Sequence, residues 1–209
     1  MIRRTPRRLG LAVPIMMLSL SCASTPAAKP EACPYCEEIR PAGSASPHSL
    51  YLLDAIWQTD EGATIKLSQF RGEPVVIAMF FATCEGTCIL TVEHLREIEA
   101  SLPSDTRRDV RFVLVTFDPT HDSAPVLNAY RKNDNLSPKR WALLRGTTAA
   151  TRQLAARLGI AYSISPQGRI VHSNQITILD REGRVVSQQI GNHPDTSAAV
   201  HAVAEVDAR

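Results

Sequence analysis

Two cysteines separated by three residues close an apolar run, Phe80-Phe81-Ala82-Thr83-Cys84-Glu85-Gly86-Thr87-Cys88. Thiols at this spacing can close a disulfide, exchange electrons with a partner thiol, or grip one soft metal ion as thiolates. Two inert buried cysteines are the bland alternative. The choice depends on where the pair sits in the fold and on what else comes near it.

The chain has three more cysteines, Cys22, Cys33 and Cys36. With Cys22 set aside, two close pairs remain and no orphan. A loop so short constrains little of the unfolded chain, so neither pair reads as a structural staple. Cys33 and Cys36 form Cys-Pro-Tyr-Cys. Such a motif is catalytic where it opens a helix after a buried strand. No apolar strand precedes it here, so it reads as an auxiliary redox or metal-capture pair, with a local disulfide or an idle dithiol as the alternative.

The elements that must position Cys84 and Cys88 can be read from periodicity. Residues 50–72 read as a short strand, a turn at Glu61–Gly62, a second strand at Thr64–Leu67 and a brief helix ending at Gly72. Pro74 to Phe81 is apolar and rich in β-branched types, which suits a central strand buried on both faces. Cys84 to Ser101 reads as a helix, with Ile89, Val92, Leu95, Ile98 and Leu102 as one apolar stripe and Pro103 as its stop. A second buried strand follows at 111–117, then a helix over Ala124–Asn133, a strand over 141–144 and a helix over Thr148–Leu158 closed by Gly159. Strands at 175–180 and 185–190 form a hairpin turning at Gly183, and Asp195–Val206 reads as a helix. This order is that of an α/β, thioredoxin-like three-layer sandwich. It has a central mixed sheet, one inserted helix–strand–helix, and a C-terminal β-hairpin plus helix.

That layout places Cys84 and Cys88 at the carboxyl end of a central strand, in the loop and first turn of the next helix. Unpaired N–H groups and the helix dipole favour an anion there, so a thiolate gains in stability and reactivity. Two thiolates leave a soft-metal site incomplete, and histidine is the usual third ligand. Six histidines are available: His48, His94, His121, His172, His193 and His201. His172 precedes the hairpin strand that pairs beside the central strands, and the loop entering that strand faces the cysteine loop. Topology therefore selects His172.

The ends of the chain suggest where it works. Arg3, Arg4, Arg7 and Arg8 precede an apolar run over 9–20 and then small residues. These features predict an export signal over 1–22, a Pro/Ala/Ser-rich tether over 23–48 and a folded domain over 49–209. Leu18 to Cys22 is similar to a lipobox, departing from it at Ser19, so Cys22 is a candidate for lipid attachment; an ordinary signal peptide cut near Ala23 is the alternative. The arginine pairs also resemble a twin-arginine signal. Among the 209 residues, 23 are basic and 21 acidic, a net charge of +2. That balance gives no pull toward nucleic acid, and membrane association is expected through the N-terminal lipid or tether only.

From about Leu50 to Ile190 the chain resembles the SCO/SenC family, copper proteins of cytochrome c oxidase assembly. Cys84 and Cys88 match the family's Cys-x3-Cys after a buried strand. Asp118, Pro119, Asp122 and Pro125 match its Asp-Pro segment, and His172 its distal histidine. Asp180 and Gly183 lie in the matching hairpin. The chain departs at Ile89, where the family usually has Pro, at Val171, where it usually has Asp, and by one extra residue before Pro125. Loss of that Asp removes a neighbour that could orient the imidazole. The resemblance implies that Cys84, Cys88 and His172 bind one copper ion for delivery to an acceptor such as a cytochrome c oxidase subunit, on the periplasmic side of the cell envelope. Asp118 and Asp122 are expected to shape the neighbouring loop or to cap the helix near Ala124.

Three rival readings stand beside this one. Cys84 and Cys88 can serve as a redox-active disulfide acting on the cysteines of a partner protein, although disulfide exchangers of this fold use two intervening residues. A thiol peroxidase fits poorly, because Thr83 adjoins Cys84 and the loop has no proline. A copper store or sensor would bind without turnover.

Overall fold

The computed structural model describes residues 48–84 and 86–208. The predicted export segment and almost all of the tether, with Cys22, Cys33 and Cys36, lie outside the described residues. From the N-terminal side the elements are β1 (Trp57–Thr59), β2 (Thr64–Ile65), β3 (Val75–Phe80), α1 (Thr87–Ser101), α2 (Ser104–Asp109), β4 (Arg111–Thr116), α3 (Ala124–Asn133), β5 (Trp141–Arg145), α4 (Thr148–Leu158), β6 (Tyr162–Ile164), β7 (Ile170–His172), β8 (Gln175–Leu179), β9 (Val185–Ile190) and α5 (Thr196–Asp207).

Seven strands form one mixed sheet in the order β2-β1-β5-β4-β3-β8-β9. β3, β4 and β5 are parallel, and β8 closes antiparallel on the other side of β3. β3 is buried at every residue, as its unbroken apolar run requires. Its side chains alternate between two cores. Val75, Ile77 and Met79 join Leu144 and the inner face of α4, namely Ala150, Leu154, Ala155 and Leu158. Val76, Ala78 and Phe80 join Val92, Leu95 and Ile98 of α1, Leu127 of α3, and Ala199 and Val203 of α5. Helices therefore cover both faces, which gives the predicted three layers.

Local chemistry sets the helix limits. Thr147 Oγ1 accepts from the Ala150 amide to start α4, and Gly159 ends it at φ 73°, where a side chain would be strained. Asp195 accepts from Ala198 N at 2.9 Å to start α5. The chain joins the domain at the β8–β9 turn. Leu50 N donates to Gly183 O at 2.8 Å, and Ser49 Oγ donates to Glu182 O. Gly183 has φ 78°, and a Cβ there would lie 2.6 Å from the Tyr51 ring, so only glycine lets Tyr51 pack on this turn.

Four expectations need correction. Leu50–Leu52 is a 3-10 turn, with the Ser49 side chain accepting from Tyr51 N; the first strand comes later, at Trp57. α1 begins at Thr87, not Cys84, because Gly86 is its N-cap. Ile89 leaves the apolar stripe and is 48 % exposed, since the buried face of α1 runs through Cys88, Thr91, Val92, Leu95 and Ile98. His172 is in a strand, β7, which pairs with β6 as a separate two-stranded ribbon. The sequence reading also passed over α2.

Candidate metal centre

The site is built at the carboxyl end of β3. Beyond Phe80 the chain turns through Phe81, Ala82 and Thr83, and Cys84 N donates to Phe81 O at 3.2 Å. Cys84 is half-buried in this loop, whereas Cys88 is the second residue of α1 and only 2 % exposed. Neither is in a disulfide. Gly86 offers no side-chain cap to α1, and the Cys88 and Gly86 amides bond to the Cys84 sulfur instead.

His172 comes from 84 residues downstream and places Nε2 3.6 Å from Cys88 Sγ. Its Nδ1 lies 3.3 Å from Ser173 O. A carbonyl can only accept, so Nδ1–H donates to it, and Nε2 is the ring nitrogen that faces the thiols. Of the six histidines, this is the one brought to the cysteines. His121 is exposed and bonded to Asp118, 2.7 Å away. His48, His193 and His201 are exposed, and His94 is half-buried on α1.

The two thiols are electrostatically unlike. A hydrogen bond with the Cys88 thiol is the strongest influence on Cys84. Burial works against it, and bonds to the His172 ring and to the Cys88 and Gly86 backbone help, bringing Cys84 down to about 4. The same sulfur–sulfur bond, with burial, pushes Cys88 well above the ordinary thiol range. The bond between the sulfurs thus biases ionisation of the pair toward Cys84 and away from Cys88.

Asp122 underlies the loop. It is 0 % exposed, accepts from Ala82 N at 3.0 Å and accepts from Thr116 Oγ1. Burial raises its pKa, against the pull of those two bonds. The helix-capping alternative for Asp118 and Asp122 does not hold: Ser123 is the N-cap of α3 and no side chain caps it. Asp118 instead receives His121 N, 3.3 Å from Oδ1. The sequence reading also missed Phe81 and Phe117, whose rings lie against His172. Their position immediately after two buried strands was the available signal.

Among the described residues, no three His, Cys, Asp or Glu side chains already enclose an ion-sized space. The thiols bond to each other rather than to a common centre. The donor set nonetheless suits a soft ion. Sulfur and nitrogen held about 2.3 and 2.0 Å from one ion, roughly 115° apart, lie about 3.6 Å from each other, which is the separation of Cys88 Sγ and His172 Nε2.

A mixed sheet covered on both faces, with a dithiol at the end of a central strand and the start of a helix, defines a protein of the thioredoxin-like class. The family model for SCO1/SenC matches residues 57–206, and the chain belongs to that family. It is 23 % identical over 138 residues to the SCO1 protein homolog of Bacillus subtilis, covering 65 % of this chain and 71 % of the relative. It is also similar to BsSco, a member of the Sco family of cytochrome c oxidase assembly proteins in which a disulfide switch was identified. That match has TM-score 0.66 and 21 % identity, over 78 % of this chain and 97 % of the other. A third similar structure is Arabidopsis thaliana ScoI with copper bound, with TM-score 0.64 and 18 % identity, over 72 % of this chain and 96 % of the other.

Proposed function

We propose that this protein binds one copper ion through Cys84, Cys88 and His172 and hands it, as cargo, to a respiratory oxidase or a related acceptor. The approach of His172 Nε2 to Cys88 Sγ across 84 residues carries the reading. Family membership supports the choice of copper, as does the copper held by the similar Arabidopsis thaliana structure. Two thiolates and one imidazole suit Cu(I), and three ligands leave the ion open to exchange with a partner's ligands. The acceptor belongs to the same proposal, as does export to the periplasmic side of the envelope with Cys22 as the lipid-bearing residue and 23–48 as a tether.

The test is a copper titration of the reduced, metal-free protein with Cys33 and Cys36 replaced by serine. One tight equivalent is expected, and His172→Ala should lose most of the Cu(II) affinity while keeping the fold. Copper binding by His172→Ala equal to the parent's would remove the third ligand from the proposal.

A second reading has its own observation. The depressed Cys84 and elevated Cys88 are the arrangement of an attacking thiolate and a resolving thiol. Cys84 would attack one sulfur of a partner disulfide and release the other as a thiol; Cys88 would then displace the partner and leave Cys84–Cys88 oxidised. Brisk reduction of a protein disulfide with metal absent would favour this reading.

A further inference from the structure

The ribbon that carries His172 is not hydrogen-bonded into the main sheet as a strand: β6 and β7 pair with each other. Side-chain packing helps to seat it: Tyr162 and Ile170 pack against the core cluster that contains Phe117. This residue is the first beyond β4 and is 1 % exposed. Its amide donates to Phe80 O at 2.7 Å, which ties its backbone to the rigid end of the sheet.

The Phe117 ring lies 5.0 Å from the Tyr162 ring at 42° and 4.6 Å from the His172 imidazole at 31°. Tyr162 and His172 are direct cross-strand partners, so one ring touches both strands of the ribbon. Phe81, the first residue beyond β3, meets the imidazole edge-on at 6.0 Å and 84°. These separations lie in the favourable range for aromatic pairs. An aromatic face fixes the plane of an imidazole without taking up a ring nitrogen. Ser173 O takes the Nδ1 proton, and Nε2 is left facing Cys88.

We propose that Phe117 is a positioning residue of the metal site: it seats the β6–β7 ribbon on the sheet end and so sets the distance between the His172 imidazole and the two thiols. The proposal rests on His172 being the third copper ligand. It also accounts for a site with Val171 where the resemblance expects a carboxylate, because ring packing and a backbone carbonyl hold the imidazole instead.

The test is NMR of the His172 ring in the reduced, metal-free full chain, for the parent, Phe117→Leu and Phe117→Tyr, followed by Cu(II) titration of each. In the parent, the carbon-bound imidazole protons should be displaced by ring current and the nitrogens should report one Nδ1–H tautomer. Phe117→Leu should move the protons toward free-histidine values, mix the tautomers and weaken Cu(II) binding by about 10–100-fold. Phe117→Tyr, which keeps the ring, should restore both. Absence of ring-current displacement in the parent overturns the proposal, with no variant needed, even if Phe117→Leu fails to fold. Unchanged shifts and affinity in a folded Phe117→Leu also overturn it. If the parent binds no copper but Phe117→Leu still releases the ring, the seating stands and the copper reading falls.

Discussion

The two halves of the candidate site are built by different means. The cysteine half hangs from hydrogen-bonded main-sheet backbone: β3 pairs with β4 along its whole length, Phe117 N reaches Phe80 O, and Asp122 holds Ala82 N from beneath. The histidine half sits on a ribbon of two three-residue strands, closed at its base by the Ser173 N–Ala161 O bond, 2.9 Å long, and seated by ring packing. Rigid structure therefore fixes the sulfurs, while the imidazole arrives on a part that can shift by small amounts at low cost. In the proposed copper site, the ligand on the softer support, His172, is the one expected to let go first.

Four measurements can break or sharpen this contrast. The largest effect is expected at Cys88. Removing it in Cys88→Ala takes away the main influence that depresses Cys84. In the parent, with Cys84 lowered to about 4, its alkylation rate should hold from neutral pH until the pH falls through that value. In Cys88→Ala the inflection should climb toward the ordinary thiol range near 8.5, so the thiolate fraction at pH 6 drops about 300-fold. An unmoved inflection would show that the two sulfurs are not coupled.

His172→Ala comes next. Loss of a supporting group usually costs a metal site about 10–100-fold, so loss of the ligand itself should cost Cu(II) binding more than about 100-fold. Urea unfolding should shift by less than about 1 kcal/mol, because His172 itself is only half-buried and belongs to neither core cluster. A large loss of stability would mean that the ribbon belongs to the rigid half.

Asp122→Ala should do the reverse. It leaves Ala82 N and Thr116 Oγ1 without their acceptor, at a cost of about 1–3 kcal/mol in urea unfolding. Amide exchange should rise in the cysteine loop and stay unchanged in the ribbon.

The smallest effect is expected at the ribbon tip. Gly168 has φ 79°, with nothing within 4 Å of the place a Cβ would occupy. Gly168→Ala therefore adds backbone strain of about 1 kcal/mol and no clash. Hydrogen exchange should speed up at Ser165 and Arg169 and be unaltered in β3 and β4. A global change in stability would erase the distinction between the halves.

Much of this architecture was legible in the sequence where one physical signal dominated. β3 declared itself as an unbroken apolar run, α4 through its capping Thr147 and terminating Gly159, and the β8–β9 hairpin through Gly183. The proximity of Cys84, Cys88 and His172 also followed from topology. What escaped was decided by tertiary packing. Tyr162–Ile164 and Ile170–His172 are too short and too mixed in polarity to announce strands, so His172 read as a loop residue. Ile89 fits the helical stripe by spacing, yet Cys88 takes the inward position in that turn and leaves Ile89 in solvent. Asp122 read either as a shaper of the neighbouring loop or as a cap for α3, because a carboxylate able to cap a helix is equally able to bind a loop amide 40 residues upstream, which is what it does. Spacing does not distinguish those partners.

The docking of Ser49 and Leu50 on the β8–β9 turn has a mechanical corollary. That turn lies at the foot of β3, about 20 Å below the cysteines along the strand direction. A pull on the upstream chain is therefore delivered to the hairpin base and borne by β8 and β9, without passing through the thiols. The cysteine end of β3 and the point where Ser49 and Leu50 dock therefore lie at opposite ends of the strand.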